Sequence, residues 1–264
     1  MIATLLAQLP SLPLLIGSMA VALAAGFVRG FSGFGFSAVC VAGLSLFIAP
    51  STVVPAVLAL EIVASIDMLR PALRTADRSW VLWLLAGNAV FVPIGIALLA
   101  VLPPTELRLI VSASLLTAAL ALRAAIGHTF APTPTLRIVA GAASGLLNGL
   151  AASGGVAAAM LLTAGGVPGA KLRGTMVVFL LFAGAWSLAC AALLSVTASG
   201  ATPLVGAQTL VWMAILAPGM LLGIRVGHGA FAGSDPAQFR KLVLNLLIVI
   251  CLFGALRAGY DLRN

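Results

Sequence analysis

The stretch Gly30-Phe31-Ser32-Gly33-Phe34-Gly35 interrupts an apolar run of some 37 residues, 12–48, and Asn148-Gly149-Leu150-Ala151-Ala152-Ser153-Gly154-Gly155 interrupts a second run, 135–165. A helix crosses the hydrocarbon core in about 20 residues. Each run is therefore too long for one crossing, and its halves are short for two. Between and after these runs lie six apolar stretches of spanning length, at about 51–69, 79–102, 105–126, 168–196, 205–226 and 237–258. The surrounding composition agrees. Of 264 residues 62% are hydrophobic and 8% charged, and the mean hydropathy is +1.21, whereas a soluble domain carries about 25% charged residues. A water-soluble globule is excluded, and the reading is an all-α polytopic membrane protein.

The halves repeat. A shift of 132 pairs Trp80 with Trp212, Gly87 with Gly219, Gly95 with Gly227, Pro104 with Pro236 and Arg108 with Arg240, and a shift of 115 pairs Gly26 with Gly141 and Gly30 with Gly145. The chain then divides into a first repeat 1–127, a linker 128–134 containing Pro132 and Pro134, and a second repeat 135–264. Each repeat is a broken element followed by three helices. Orientation follows from the loops. If each broken element is a re-entrant hairpin, ten Lys and Arg (70, 74, 78, 123, 137, 171, 173, 225, 240, 241) fall on one face and three (108, 257, 263) on the other. If each is a full crossing, the count is seven against six. The positive-inside rule prefers the hairpins, which makes the repeats inverted and puts both termini outside the cytoplasm. Residues 1–11 lack the basic n-region of a secretory signal, so residues 12–28 are read as retained structure.

The net charge of +8 is spread between apolar segments with no run longer than Arg240-Lys241, so no nucleic-acid partner is expected. Cys40, Cys190 and Cys251 stand singly without metal or disulfide spacing, and neither metal nor cofactor is expected. Irregular backbone at membrane depth survives only where protein buries it or water solvates it. The two breaks are therefore expected to face one another in the interior. Helix N-termini there direct N–H groups at anions, and matched interruptions in two halves point to a transporter site. Ser32, Gly33, Phe34 and Gly35, with Asn148, Ser153, Gly154 and Gly155, are the candidate binding residues. Close helix packing would also explain the glycines.

Arg29, beside the first break, is a candidate anion clamp or a snorkelling cation. Glu61, within an apolar stretch and without a basic partner at helical spacing, is a candidate proton relay or a neutral packed acid. Asp67 and Arg70 are spaced to pair. Lys171 and Arg173 read as topological anchors, Asn88 and Gln208 as interhelical bonds or pathway lining, Trp80, Trp83 and Trp212 as interfacial anchors, and His128 and His228 as solvated. Gly30-Phe31-Ser32-Gly33 matches the GxSG pattern of rhomboid proteases, with His228 as the sole partner base. The repeat architecture does not fit that family, and no enzyme is expected.

The sequence Gly26-Phe27-Val28-Arg29-Gly30-Phe31-Ser32-Gly33-Phe34-Gly35-Phe36, the second Gly/Ser break, and a Gly-x7-Gly ahead of a Pro-led final helix in each half resemble the sulfite exporter TauE/SafE family, also called the toluene sulfonate uptake permease family. The resemblance covers about residues 12–258. It implies secondary transport of a small sulfur-containing anion, such as sulfite or an organosulfonate like sulfoacetate, across a bacterial inner membrane by alternating access. Export is the expected direction, with the lipid bilayer and a homo-oligomer as further partners. The thiosulfate branch relays its substrate through cysteines, and none lies at the breaks here, so an oxyanion headgroup fits better. A passive anion channel, transport of other organic anions, and an anchor subunit for a partner enzyme are the alternatives. No GxxxxGK[ST] is present to supply ATP drive.

Overall fold

The computed structural model describes residues 10–125, 133–197, 204–231 and 236–261. The linker's residues 128–132, with His128, lie outside them. The described chain is helical: α1 (Leu12–Ser32), α2 (Phe36–Leu44), α3 (Pro50–Thr75), α4 (Arg78–Val101), α5 (Pro104–Ala125), α6 (Pro134–Ala151), α7 (Gly154–Ala164), α8 (Gly169–Thr197), α9 (Ala207–Phe231) and α10 (Pro236–Asp261). Among the described residues α1, α3, α4, α5, α8 and α9 are long and apolar enough to cross a membrane.

Each broken element is a hairpin with unequal arms. The 21 residues of α1 rise about 31 Å, enough to cross the core, while the nine of α2 rise about 14 Å. Gly33 and Gly35 reverse the chain at φ +82° and +93°, a region open to glycine and costly for other residues. The return runs antiparallel along α1, because a Cβ on Gly35 would meet Val28 and one on Gly43 would meet Val21. In the second hairpin Ala152 takes the left-handed role at φ +51°, and the Ser144 hydroxyl donates to the Gly154 carbonyl at 2.8 Å, tying α7 back to α6.

Inside a bilayer, association rests on close packing and interhelical hydrogen bonds, because lipid is as apolar as leucine. Glycine supplies the closeness. α1 lies parallel to α9, with Gly26 against Met220 and Gly30 against Ile224, and α6 lies parallel to α4, with Gly87 against Gly141 and Gly149 against Val92. Each of these two seams joins a helix of the first half of the chain to a helix of the second. Gly87, Gly95, Gly219 and Gly227, which pair at the shift of 132, all sit in them. At the centre α3 and α8 pack antiparallel: Gly174 abuts Ala72 and Thr75, and Gly184 faces Leu58 and Ile62. Trp80 and Trp212, read as interfacial anchors, are buried instead, Trp80 beneath the Arg137 guanidinium. A bulky ring serves there as packing between helices.

The seams carry a direct prediction. A Cβ on Gly223 would collide with the Leu23 carbonyl, whereas one on Gly17 meets nothing within 4 Å. Gly223→Val is expected to force the helices apart and cost at least about 1–3 kcal/mol. Gly17→Ala is expected to be neutral or stabilising by up to about 1 kcal/mol. Thermal melts followed by size-exclusion chromatography compare the two.

Candidate functional site

The first break is held by a buried charge cluster. Arg29 is fully buried, and from α1 its Nη1 donates to the Gly33 carbonyl at 2.7 Å and its Nη2 to the Ser65 hydroxyl at 2.7 Å. Nη1 also stands 2.8 Å from Glu61 Oε1, with Glu61 2% exposed. The contact is ionic rather than an aligned hydrogen bond, for neither carboxylate oxygen accepts one among the described residues. Sequence spacing gave Glu61 no partner because the partner is on another helix. Arg29 is likewise committed: it braces the turn and neutralises Glu61 instead of snorkelling or standing open.

The second break is held by an amide. Asn148 Nδ2 donates to the Ser187 hydroxyl at 2.8 Å and the Ala183 carbonyl at 3.2 Å, both on α8. The two breaks occupy different turns of α8, since a Cβ on Gly33 would lie 2.5 Å from Arg173 Cγ, near the helix start. Their polar side chains nevertheless converge on one height of the central pair. Glu61 neighbours Ile62, which faces Gly184, and Asn148 bonds Ala183.

The hydroxyls expected to meet a ligand serve their own turns. Ser32 Oγ lies within hydrogen-bond distance of the carbonyls of Val28 and Phe34, either of which can accept its one proton, and Ser153 Oγ donates to that of Leu147. What remains for a ligand is backbone. Neither α2 nor α7 has a side-chain cap at its N-terminus, and Phe36, Ser37, Gly154 and Gly155 there are all buried. Two helix starts without side-chain caps thus lie inside the protein, each carrying the partial positive charge of a helix N-terminus. Phe34 and Gly35 complete the first turn and Ser153 the second.

Arg173 was read as an anchor, yet its Nη2 donates to the Gly30 carbonyl at 2.8 Å and lies 2.9 Å from His228 Nδ1. Its signal in the sequence was a cation set inside the start of an apolar helix rather than in the loop. Asn88 is buried with both amide atoms unpartnered among the described residues. No ion pair joins Asp67 to Arg70 among those residues.

The matched sequence extends far beyond this site. The sulfite exporter TauE/SafE family model matches residues 18–254. The chain belongs to the sulfite exporter TauE/SafE family. Comparison with curated proteins and with solved structures gave no match. As a TauE/SafE protein the chain is a multi-pass membrane transporter of a sulfur-anion family, not an enzyme.

The same end of this TauE/SafE bundle carries an exposed latch between halves. Lys171 Nζ lies 2.8 Å from Asp77 Oδ2, and the Asp77 amide donates to Thr175 Oγ1 at 2.8 Å. Asp77 also caps α4 by accepting from Ser79 and Trp80. The Lys171 hydrogen bond, with the two amides, holds the Asp77 carboxyl below its ordinary value against a smaller desolvation effect. A lowered folded value means that this stability is present above the unfolded value near about 3.9 and is lost as pH falls through the folded one. Asp77→Asn is expected to cost about 1 kcal/mol or less at neutral pH, given the exposure of the pair. The gap from wild type should close below about pH 4, as read from melting temperature against pH.

Proposed function

We propose that this protein carries a small sulfur oxyanion, sulfite or an organosulfonate, by alternating access between the uncapped N-termini of α2 and α7, and that export from a bacterial cytoplasm is its direction. The observation that carries this reading is the pair of buried, uncapped helix starts. Positive dipole ends match a compact anion, which first-turn N–H groups of a helix are suited to bind. Two inverted repeats account for the architecture: α3 and its counterpart α8 run antiparallel, as inversion requires. The basic residues support the orientation. Arg78, Arg137, Lys171, Arg173 and Arg225 gather at one end, for Arg137 donates to Ser79 beside the Lys171–Asp77 latch, whereas Arg257 lies over Phe47. We assign the first end to the cytoplasm.

Glu61 acts here as a resident counter-ion. It holds Arg29 while the site is empty and yields when a substrate anion arrives or when it is itself protonated. Expelling an anion from a negative cytoplasm gains about 2.3 kcal/mol per charge per 100 mV. Sulfite and sulfoacetate fluxes in proteoliposomes test the reading. Counterflow that accelerates exchange supports a carrier; flux indifferent to trans substrate makes it a pore, and no flux with either anion overturns the proposal.

A further inference from the structure

Backbone contacts of the kind seen in the two glycine seams do not slide. In one seam Gly219 lies against Met19 and Gly227 against Phe27, and in the other Gly95 lies against Leu146 and Gly145 against Asn88, each with no room for a methyl group. Interfaces packed this closely hold discrete arrangements rather than a continuum of them. α1 therefore moves with α9, and α4 with α6.

Side-chain bonds extend each pair. α3 is joined to α1 through Arg29, which reaches Ser65 and Glu61, and α9 also packs on α3. α8 is joined to α6 through Asn148, which reaches Ala183 and Ser187. It is joined to α4 through Trp186, whose Nε1 donates to the Ala89 carbonyl at 3.1 Å. Pro93 explains why that carbonyl is open to an outside donor: lacking an N–H, it cannot close the helical bond to the residue four earlier. The Lys171–Asp77 pair ties the start of α8 to that of α4 as well. With each short return packed on its own long arm, two bodies result, one of α1, α2, α3 and α9, the other of α4, α6, α7 and α8. Each body holds elements of both halves of the sequence. α5 and α10 pack on one another beside them.

The face between the bodies is α3 against α8, and it is uneven. Near the start of α8, Gly174 meets Thr75 with no room for a methyl group, whereas further along the helix a Cβ on Gly184 would stand 3.4 Å from Ile62, an ordinary contact. One end is shut and the middle is looser. Arg173 crosses the shut end, reaching from α8 to the Gly30 carbonyl on α1 and to His228 on α9.

We propose that the protein moves as these two composite bodies and not as its two sequence halves, pivoting along α3 and α8, with Arg173 as the strap that holds the shut end together. This names the moving parts of alternating access and rests on that reading; the rigidity of each body does not.

Spin labels at four exposed positions test it: Leu12 on α1, Val226 on α9, Val101 on α4 and Val139 on α6. The labels are placed in pairs in the full chain, with Cys40, Cys190 and Cys251 replaced by Ala, in phosphatidylcholine nanodiscs. Distances are read by double electron–electron resonance without solute, with sulfoacetate, with methanesulfonate, and again in Arg173→Gln. Leu12–Val226 and Val101–Val139 each join different halves of the sequence within one body, and each should keep a single distance throughout. Leu12–Val101 and Val139–Val226 each lie within one half but join the two bodies, at opposite ends of the bundle. Either solute, or loss of the strap, should shift both by more than about 2 Å and in opposite senses. Should Arg173→Gln not assemble, Arg173→Lys, which keeps the charge without the planar fork, takes its place. Shifts in the pairs within a body as large as those between bodies, or four unchanged distances under every condition, overturn the proposal. Motion between the bodies without flux of sulfite or sulfoacetate in proteoliposomes would overturn the transport reading and leave the two bodies standing.

Discussion

Glu61→Gln is expected to lower stability by about 3–5 kcal/mol, because it leaves the Arg29 guanidinium charged, buried and without a counter-ion. Arg29→Gln with Glu61→Gln should recover most of that loss, since two neutral amides in the same space carry no uncompensated charge. The recovered protein should still transport nothing, having neither clamp nor counter-ion. Melting temperature and flux, measured on the two single variants and the double, separate the effects. A double variant no more stable than the singles would show that the pair is not coupled, and full flux in the double would remove it from the pathway. Any residual flux of Glu61→Gln should be flat with pH; a profile parallel to wild type would take Glu61 out of proton coupling.

The second large effect is at the breaks. Valine at Gly33 meets two obstacles, a left-handed backbone at φ +82° and the Arg173 stem 2.5 Å from its Cβ. The backbone alone costs about 1–2 kcal/mol. The larger consequence is displacement of the turn, and a shift of about 1 Å at a reacting or binding geometry costs on the order of 100-fold. Gly33→Val is therefore expected to reach the membrane and to lose flux by about that factor or more. At Gly154 the new Cβ strikes the Ser144 carbonyl, a backbone atom, so Gly154→Val should lose flux and some yield. Normal flux in both would separate the breaks from the site.

Local chemistry was readable in the sequence. Glycine runs announce left-handed turns, and α1 stops at Ser32 and α6 at Ala151, inside the stretches that first stood out. The helical membrane fold follows equally from apolar length. What remained hidden is long-range. Arg29 and Glu61 are on different helices, and spacing rules see only residues three or four apart on one helix. Ser32 and Ser153 are the residue types that bind anions, yet the same hydroxyls bond local carbonyls as readily. Only the structure distinguishes these uses. The seam glycines illustrate another case: Gly87, Gly95, Gly219 and Gly227 stood out in the sequence only as matched positions, and in the structure they let helices pack closely.

The interleaving of the halves has a consequence for biosynthesis. Gly26 finds Met220 only after 220 − 26 = 194 further residues have been made. At about 5–20 residues per second the ribosome takes roughly 10–40 s to deliver them. Throughout that interval α1 stands in the bilayer with a bare glycine face, and Arg29 gains Glu61 well before it gains the shelter of α9. Assembly of this transporter is thus completed from its end backwards, and a translational pause before α9 should expose the nascent chain to membrane quality control for longest.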